Sequence, residues 1–121
     1  MRTELDARMD ATMAAVTGEG GMLPLGTIAR WGVDLPVIAV VPPSLPAYFA
    51  HYCAEHADLP FIVAGAERLT FAEVHVAATR VAEGLVARGI AVGDRVGIAG
   101  RNSPAWIATY MGVLMAGGVA T

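Results

Sequence analysis

The chain has 121 residues, of which 55% are hydrophobic and 16% charged, and its net charge is −3. This length allows one domain or part of one, and the apolar excess predicts faces meant for a missing remainder or a partner. The acidic balance, without a basic cluster, argues against binding nucleic acid through its phosphates. Cys53 is the single cysteine, so an intrachain disulfide or multi-cysteine metal site is excluded and a reduced, cytoplasmic setting is favoured.

The amino-terminal segment predicts a peripheral amphipathic helix that docks by its apolar stripe. The segment has no continuous apolar run, which argues against a secretory signal, and its acidic residues argue against a transit peptide. Its polar face lacks a basic excess, which argues against a membrane-surface helix. The stripe consists of Leu5, Met9, Met13 and Val16, and the helix ends at Gly18, Gly20 and Gly21.

Two short strands are predicted next, at Leu25–Arg30 and Pro36–Val41, with a turn at Gly32–Val33–Asp34. Pro42 and Pro43 close this segment. We therefore treat residues 1–43 as a leader.

Ser44 predicts the N-cap of a helix that runs to about Ala57. We expect this helix to bury Leu45, Phe49 and Tyr52. A small hairpin should follow, with strands Phe61–Val63 and Glu67–Leu69 around the turn Ala64–Gly65–Ala66.

Thr70 and Glu73 form the S/T-x-x-E pattern of a capping box at the start of a helix. Leu69 and Val74 stand at the positions of a hydrophobic staple. The buried stripe should comprise Val74, Ala78, Val81 and Leu85, and Gly89 should end the helix in the left-handed conformation.

The last part of the chain predicts strand, helix and strand. Arg95–Ala99 has the uninterrupted apolar run of a strand covered on both faces. Ser103 and Pro104 begin a helix, Gly117 and Gly118 end it, and Val119–Thr121 starts a second strand. Such a unit is expected to be a right-handed βαβ crossover. Although Pro104–Thr121 carries no charge, its proline and its glycine pair favour a buried globular helix over a membrane span.

His51, Cys53 and His56 form the tightest group of possible metal ligands. On a helix these three side chains point in different directions, whereas helical zinc pairs favour a spacing of about four residues. Packing and surface roles are therefore favoured over a metal site.

Gly93, Gly97 and Gly100 match no phosphate-binding fingerprint, because Gly97 lies inside the predicted strand. The turn Gly100–Ser103 does follow a parallel strand and precede a helix, where an anion can bind backbone amides. Asn102 and Ser103 are better explained as turn and cap residues, and Arg101 is an isolated charge. The residues alone provide no catalytic constellation.

Four segments stand in a distinctive order and spacing: Leu69–Val74, Gly93–Val96, Asn102–Trp106 and Ala116–Ala120. Together they resemble the amino-terminal part of the adenylate-forming acyl-CoA synthetases. The region from the Met9 helix through PPSLPAYF is similar to the leader of bacterial members that act on fatty or aromatic acids. The resemblance covers most of the chain and is tight from Pro43 onward, although Ala105 and Met115 replace a common Glu and a common Lys.

The resemblance implies an α/β fold: an incomplete amino-terminal portion of the large domain, with peripheral helices, short hairpins and one βαβ unit. Residues 44–121 would begin the adenylation domain. The implied reaction joins a carboxylic acid to ATP as an acyl-adenylate, with Mg²⁺ stabilising charge, and then transfers the acyl group to coenzyme A.

The family's phosphate loop, acyl pocket, adenine-binding segments and catalytic lysine domain would all lie beyond Thr121. No functional residue of the family maps onto this chain, so we predict no catalytic, cofactor-binding or metal-binding residue, and an inactive fragment. Three alternatives stay open. The first is a stand-alone interaction module that uses its apolar faces to bind a partner or to self-associate. The others are a small nucleotide-binding protein and a peptide-synthetase or luciferase-like member of the same superfamily.

Overall fold

The computed structural model describes residues 2–121. Two compact units are present, Met1–Val41 and Pro42–Thr121. The elements are α1 (Glu4–Thr17), β1 (Leu25–Arg30) and β2 (Val33–Ile38) in the first unit, and α2 (Leu45–Glu55), β3 (Pro60–Ala64), β4 (Glu67–Thr70), α3 (Phe71–Ala87), β5 (Arg95–Val96), α4 (Pro104–Met115) and β6 (Val119–Ala120) in the second.

Helix α1 begins with a capping box that the sequence analysis did not identify. Thr3 Oγ1 accepts a hydrogen bond from the Asp6 amide at 3.2 Å, and the Asp6 carboxylate accepts one from the Thr3 amide at 2.7 Å. The hydrogen bonds from the Thr3 backbone and then from its side chain lower the pKa of Asp6. The side chains of Leu5, Met9 and Met13 are exposed, and the docking of this apolar stripe stays a prediction.

Strands β1 and β2 form an antiparallel hairpin in which Arg30 pairs with Val33. Strand β1 has the predicted bounds, but β2 begins three positions before the predicted Pro36. The turn is the two-residue loop Trp31–Gly32, in which both φ angles are positive, at 49° and 77°. Because tryptophan is uncommon in such a turn, the sequence analysis placed the turn at Gly32–Val33–Asp34 instead.

The core of the second unit lies where α2, α3 and α4 meet the β3–β4 hairpin. Val74 in α3 and Val113 in α4 are essentially inaccessible to water, at 1% and 0% exposure. Further apolar side chains, among them Leu69, Tyr110 and Leu114, pack around this cluster. Its buried members are Phe49, Cys53, Ile62, Val74, Ala78 and Met111.

Helix α2 begins at Ser44, as predicted, because the Ser44 hydroxyl accepts a hydrogen bond from the Ala47 amide at 3.3 Å. The predicted buried set was only partly correct. Phe49 is buried and Tyr52 is half-buried, whereas Leu45 is 51% exposed and Cys53 is buried. Phe49 and Cys53 are four residues apart and share the face that meets the core, whereas Leu45 lies in the first turn at the surface.

Both ends of α3 have the predicted structure. Thr70 Oγ1 accepts from the Glu73 amide at 3.2 Å, and Glu73 Oε2 accepts from the Thr70 amide at 2.8 Å. At the other end Gly89 has a φ of 89°, and the Ile90 amide donates to the Leu85 carbonyl. This is the Schellman arrangement that a left-handed glycine permits.

Helices α3 and α4 approach closely at Gly112. A Cβ atom on Gly112 would lie 2.6 Å from Val81 Cβ and 2.7 Å from the Ala78 carbonyl oxygen. Only glycine fits at this contact. The missing Cβ thus lets α4 pack directly against α3 at this point.

Strands β5 and β6 pair in parallel, Arg95 with Val119 and Val96 with Ala120, and α4 connects them. The ladder continues as a hydrogen bond from the Ile98 amide to the Thr121 carbonyl at 2.8 Å. We predicted a strand to Ala99 that is covered on both faces, and this was wrong. The regular strand ends at Val96, and Gly97 and Ala99 are exposed, whereas Val96 and Ile98 are half-buried.

Within residues 2–121, the helices are too short or too polar for any of them to traverse a lipid bilayer.

Candidate functional site

The turn Gly100–Ser103 connects the end of the β5 ladder to α4, at the edge where parallel strands carry ligand sites in α/β proteins. The Ser103 hydroxyl accepts a hydrogen bond from the Trp106 amide at 3.2 Å, and Pro104 occupies the first helical position. Both features were predicted and both are confirmed. They fix the direction in which α4 leaves the turn.

Few amides remain free at this helix start to hold an anion. Pro104 has no amide hydrogen, the Trp106 amide donates to Ser103 Oγ, and the Ile107 amide donates to the Ser103 carbonyl at 3.2 Å. Ala105 alone of the first four helical positions keeps an uncommitted amide among the described hydrogen bonds. The first turn of α4 therefore offers a single amide to an anion, and we assign it no step of phosphate chemistry.

An open groove of about 410 Å³ runs along this turn. Arg101 is its one charged lining residue, and it is exposed to solvent. Thr109 also lines the groove, although the sequence analysis did not identify it. It stands four residues after Ala105, and this spacing could have indicated that the two residues share one face of α4. The hydroxyl of Thr109 donates to the Ala105 carbonyl at 2.8 Å, so it is already satisfied within the helix.

Beside the groove lies an apolar face on α4. The rings of Trp106 and Tyr110 stack with centroids 5.5 Å apart and planes 7° from parallel. Together with Ile98 and Ala120 they line a smaller cleft of about 110 Å³. Both aromatic residues are half-buried, while Val119 is 46% exposed.

The group His51, Cys53 and His56 divides among three environments. His51 is exposed, with its Nε2 3.6 Å from a carboxylate oxygen of Glu55. Cys53 points into the core, where burial raises the pKa of its thiol. His56 stacks on Tyr52, with ring centroids 5.8 Å apart, and it also contacts Phe71.

Three or more histidine, cysteine or acidic side chains do not converge anywhere in residues 2–121 in a way that could hold a metal ion. The structure thus brings together the turn, Arg101 and the α4 aromatic pair, and it separates the possible metal ligands.

Comparison with known proteins gives a consistent assignment. The sequence model of the family described as AMP-binding enzyme matches residues 49–121. A medium/long-chain-fatty-acid–CoA ligase of Mycobacterium tuberculosis, FadD6, is 34% identical over 77 residues, which cover 64% of this chain and 13% of that protein. The 4-coumarate–CoA ligase 3 of Arabidopsis thaliana is 34% identical over 87 residues, covering 67% of this chain and 15% of that ligase.

A solved structure is also similar. The nonribosomal peptide synthetase FmoA3, in an AMPPNP-bound form, matches with a TM-score of 0.62 and 32% identity, over 63% of this chain and 8% of that one. The chain therefore spans a small fraction of the length of each of these proteins. The family match lies within the second unit, which also contains the turn described above.

Proposed function

The chain belongs to the AMP-binding enzyme family, and from this premise we propose that it serves in a ligase that activates carboxylic acids. In that reaction a carboxylate oxygen attacks the α-phosphorus of ATP, the acyl-adenylate forms and pyrophosphate leaves. The thiol of coenzyme A then attacks the acyl carbon, AMP leaves and a thioester forms. Fatty acids are the proposed substrate class. The observation that carries this proposal is the match of the family to residues 49–121 together with the likeness to FadD6.

The proposed contribution of this chain is structural. The capping box at Thr70, the Gly112 contact and the Ser103 cap together set the position of the β5–α4–β6 unit. Loops at the carboxyl ends of such parallel strands carry the ligand sites of α/β enzymes. ATP, Mg²⁺ and coenzyme A would be held by residues outside this chain, and this chain would orient the sheet that supports them.

A graft tests the structural role. Residues 49–121 would replace the matching segment of FadD6, and fatty-acid-dependent exchange of pyrophosphate into ATP would be measured. We expect the graft to keep exchange activity, and the same graft with Val113→Asp to lose it, because an aspartate would be buried where Val113 has 0% exposure. A folded but inactive graft, or exchange by residues 1–121 alone, would overturn the assignment.

The substrate class needs a separate measurement. The natural polypeptide, captured with an antibody raised against residues 2–41, would be assayed with medium- and long-chain fatty acids, 4-coumarate and amino acids. We expect exchange with the fatty acids and thioester formation that depends on coenzyme A. Preference for 4-coumarate would move the assignment toward the plant-type ligases, and activity only with amino acids would move it toward the peptide synthetases.

Two other functions remain as competing outcomes. An interaction module is favoured by the exposed side chains of Leu5, Met9 and Met13 on α1. It would be supported if the chain unfolds cooperatively only within a defined complex. A small nucleotide-binding protein would bind ATP or AMP at Gly100–Ser103, and absence of binding at millimolar nucleotide would exclude it.

A further inference from the structure

The outward-facing backbone groups of the β1–β2 hairpin can be identified from its register. The Ala39 amide donates to the Pro24 carbonyl at 2.8 Å, so the pair 24–39 is hydrogen-bonded. Hydrogen-bonded and non-hydrogen-bonded pairs alternate along an antiparallel ladder. The pairs Leu25–Ile38, Thr27–Pro36 and Ala29–Asp34 are therefore the non-hydrogen-bonded ones. Their backbone groups point away from the partner strand.

The two outer edges of the hairpin differ. On β2 the central outward position is Pro36, which has no amide hydrogen to donate. On β1 the outward positions are Leu25, Thr27 and Ala29, all of which have one. Sheet β1–β2 has two strands within residues 2–121, so these three residues have no strand partner there. The hairpin thus has one edge closed by proline and one open edge.

We propose that the open edge of β1 pairs with the same edge of a second copy of this chain. Antiparallel pairing about a two-fold axis through Thr27 places Thr27 opposite Thr27 and Leu25 opposite Ala29. Each outward amide on these residues then has a carbonyl partner. The product is a four-stranded sheet in the order β2–β1–β1–β2, and a two-stranded hairpin gains most from such extension because it is marginally stable alone.

Side chains agree with this register. Ile28 of each copy lies opposite Gly26 of the other, so a bulky side chain faces a position without one. Arg30 of each copy lies opposite Pro24 of the other, which keeps the two like charges at opposite ends of the paired strands. The Thr27 pair is a favourable cross-strand combination. Because Pro36 closes both outer edges of the sheet, assembly stops at two copies.

Three variants of the full chain test the proposal through its mass in solution. The wild-type chain should have twice its monomer mass of 12.5 kDa by light scattering. Thr27→Pro removes an outward donor from the open edge and should give monomer. Asp34→Pro is the matched control, since it removes an outward donor from the β2 edge, and it should stay dimeric. Pro36→Thr opens the second edge and should give larger assemblies.

Amide hydrogen exchange of the wild-type chain decides the matter even if Thr27→Pro disrupts the hairpin. The amides of Leu25, Thr27 and Ala29 should become protected as protein concentration rises. Those of Asp34 and Ile38, on the β2 edge, should exchange rapidly at every concentration. A monomeric wild-type chain, or a dimer that leaves the Thr27 amide unprotected, would overturn the proposal. The inference is independent of the ligase function.

Discussion

Gly112 allows α3 and α4 to pack closely in the second unit. Its missing Cβ leaves the space in which Val81 and the Ala78 carbonyl contact α4. Glycine inside a helix ordinarily costs about 1 kcal/mol relative to alanine. Here the close approach of α3 and α4 outweighs that cost, because an added methyl group would have to displace backbone atoms of α3.

Replacing Gly112 with alanine should therefore destabilise the second unit by about 1–3 kcal/mol, the usual range for overpacking. Gly84→Ala is the matched control, because its Cβ would meet only the flexible Arg88 side chain at 3.1 Å. We expect that control to stabilise α3 by about 0.5–1 kcal/mol. Urea unfolding followed by Trp106 fluorescence, in a Trp31→Phe background, measures both. Equal effects of the two substitutions would contradict the packing argument.

Helices α1 and α3 both begin with a capping box, but the two helices differ in whether they contribute to the core. Thr70 and Glu73 cap α3, which buries Val74, Ala78 and Ala82. Thr3 and Asp6 form the same box on α1, a helix without buried residues. A cap stabilises a helix in either setting. Only in α3 is the helix coupled to a core, so that loss of the cap affects more than its own turn.

Removing the α3 cap should accordingly lower global stability. We expect Thr70→Ala to reduce the free energy of unfolding of the second unit by about 1 kcal/mol. Thr3→Ala should reduce helical circular dichroism from α1 while leaving the unfolding midpoint reported by Trp106 unchanged. If both substitutions shift that midpoint equally, the distinction between a core-coupled and an isolated cap is wrong.

Over the whole molecule, the buried hydrophobic cluster lies entirely within the second unit, in residues 42–121. That cluster unites α2, the β3–β4 hairpin, α3 and α4. Each unit also makes its own network of contacts. The second unit is the part of the chain that the AMP-binding family matches, from residue 49 onward.

Residues 42–121 should therefore fold without residues 1–41. We expect the shorter chain to show a cooperative urea transition, with protected amides in α3 and α4, at a midpoint close to that of the full chain. The comparison should use Trp31→Phe in the full chain, so that both report from Trp106. A shorter chain without protection in α3 and α4 would show that its core requires the first unit.

Local sequence was sufficient wherever a structure depends on neighbours in the chain. Ser44, Thr70, Ser103 and Gly89 each satisfy or end a helix through atoms a few residues away, and each was identified correctly. The hairpin turn at Gly65 was placed correctly for the same reason. The turn at Trp31 was missed because its backbone is set by strand pairing rather than by a favourable turn residue.

The family assignment was also within reach of the sequence, because four short segments occur in a fixed order and spacing, and the family match confirms it. The burial of individual side chains could not be predicted from the sequence, since it depends on contacts between residues that are distant in the chain. Only the tertiary structure decided that Cys53 rather than Leu45 enters the core and that Ala99 is exposed. The close contact at Gly112 could not be predicted either, because it depends on the position of α3, which the sequence around Gly112 does not specify.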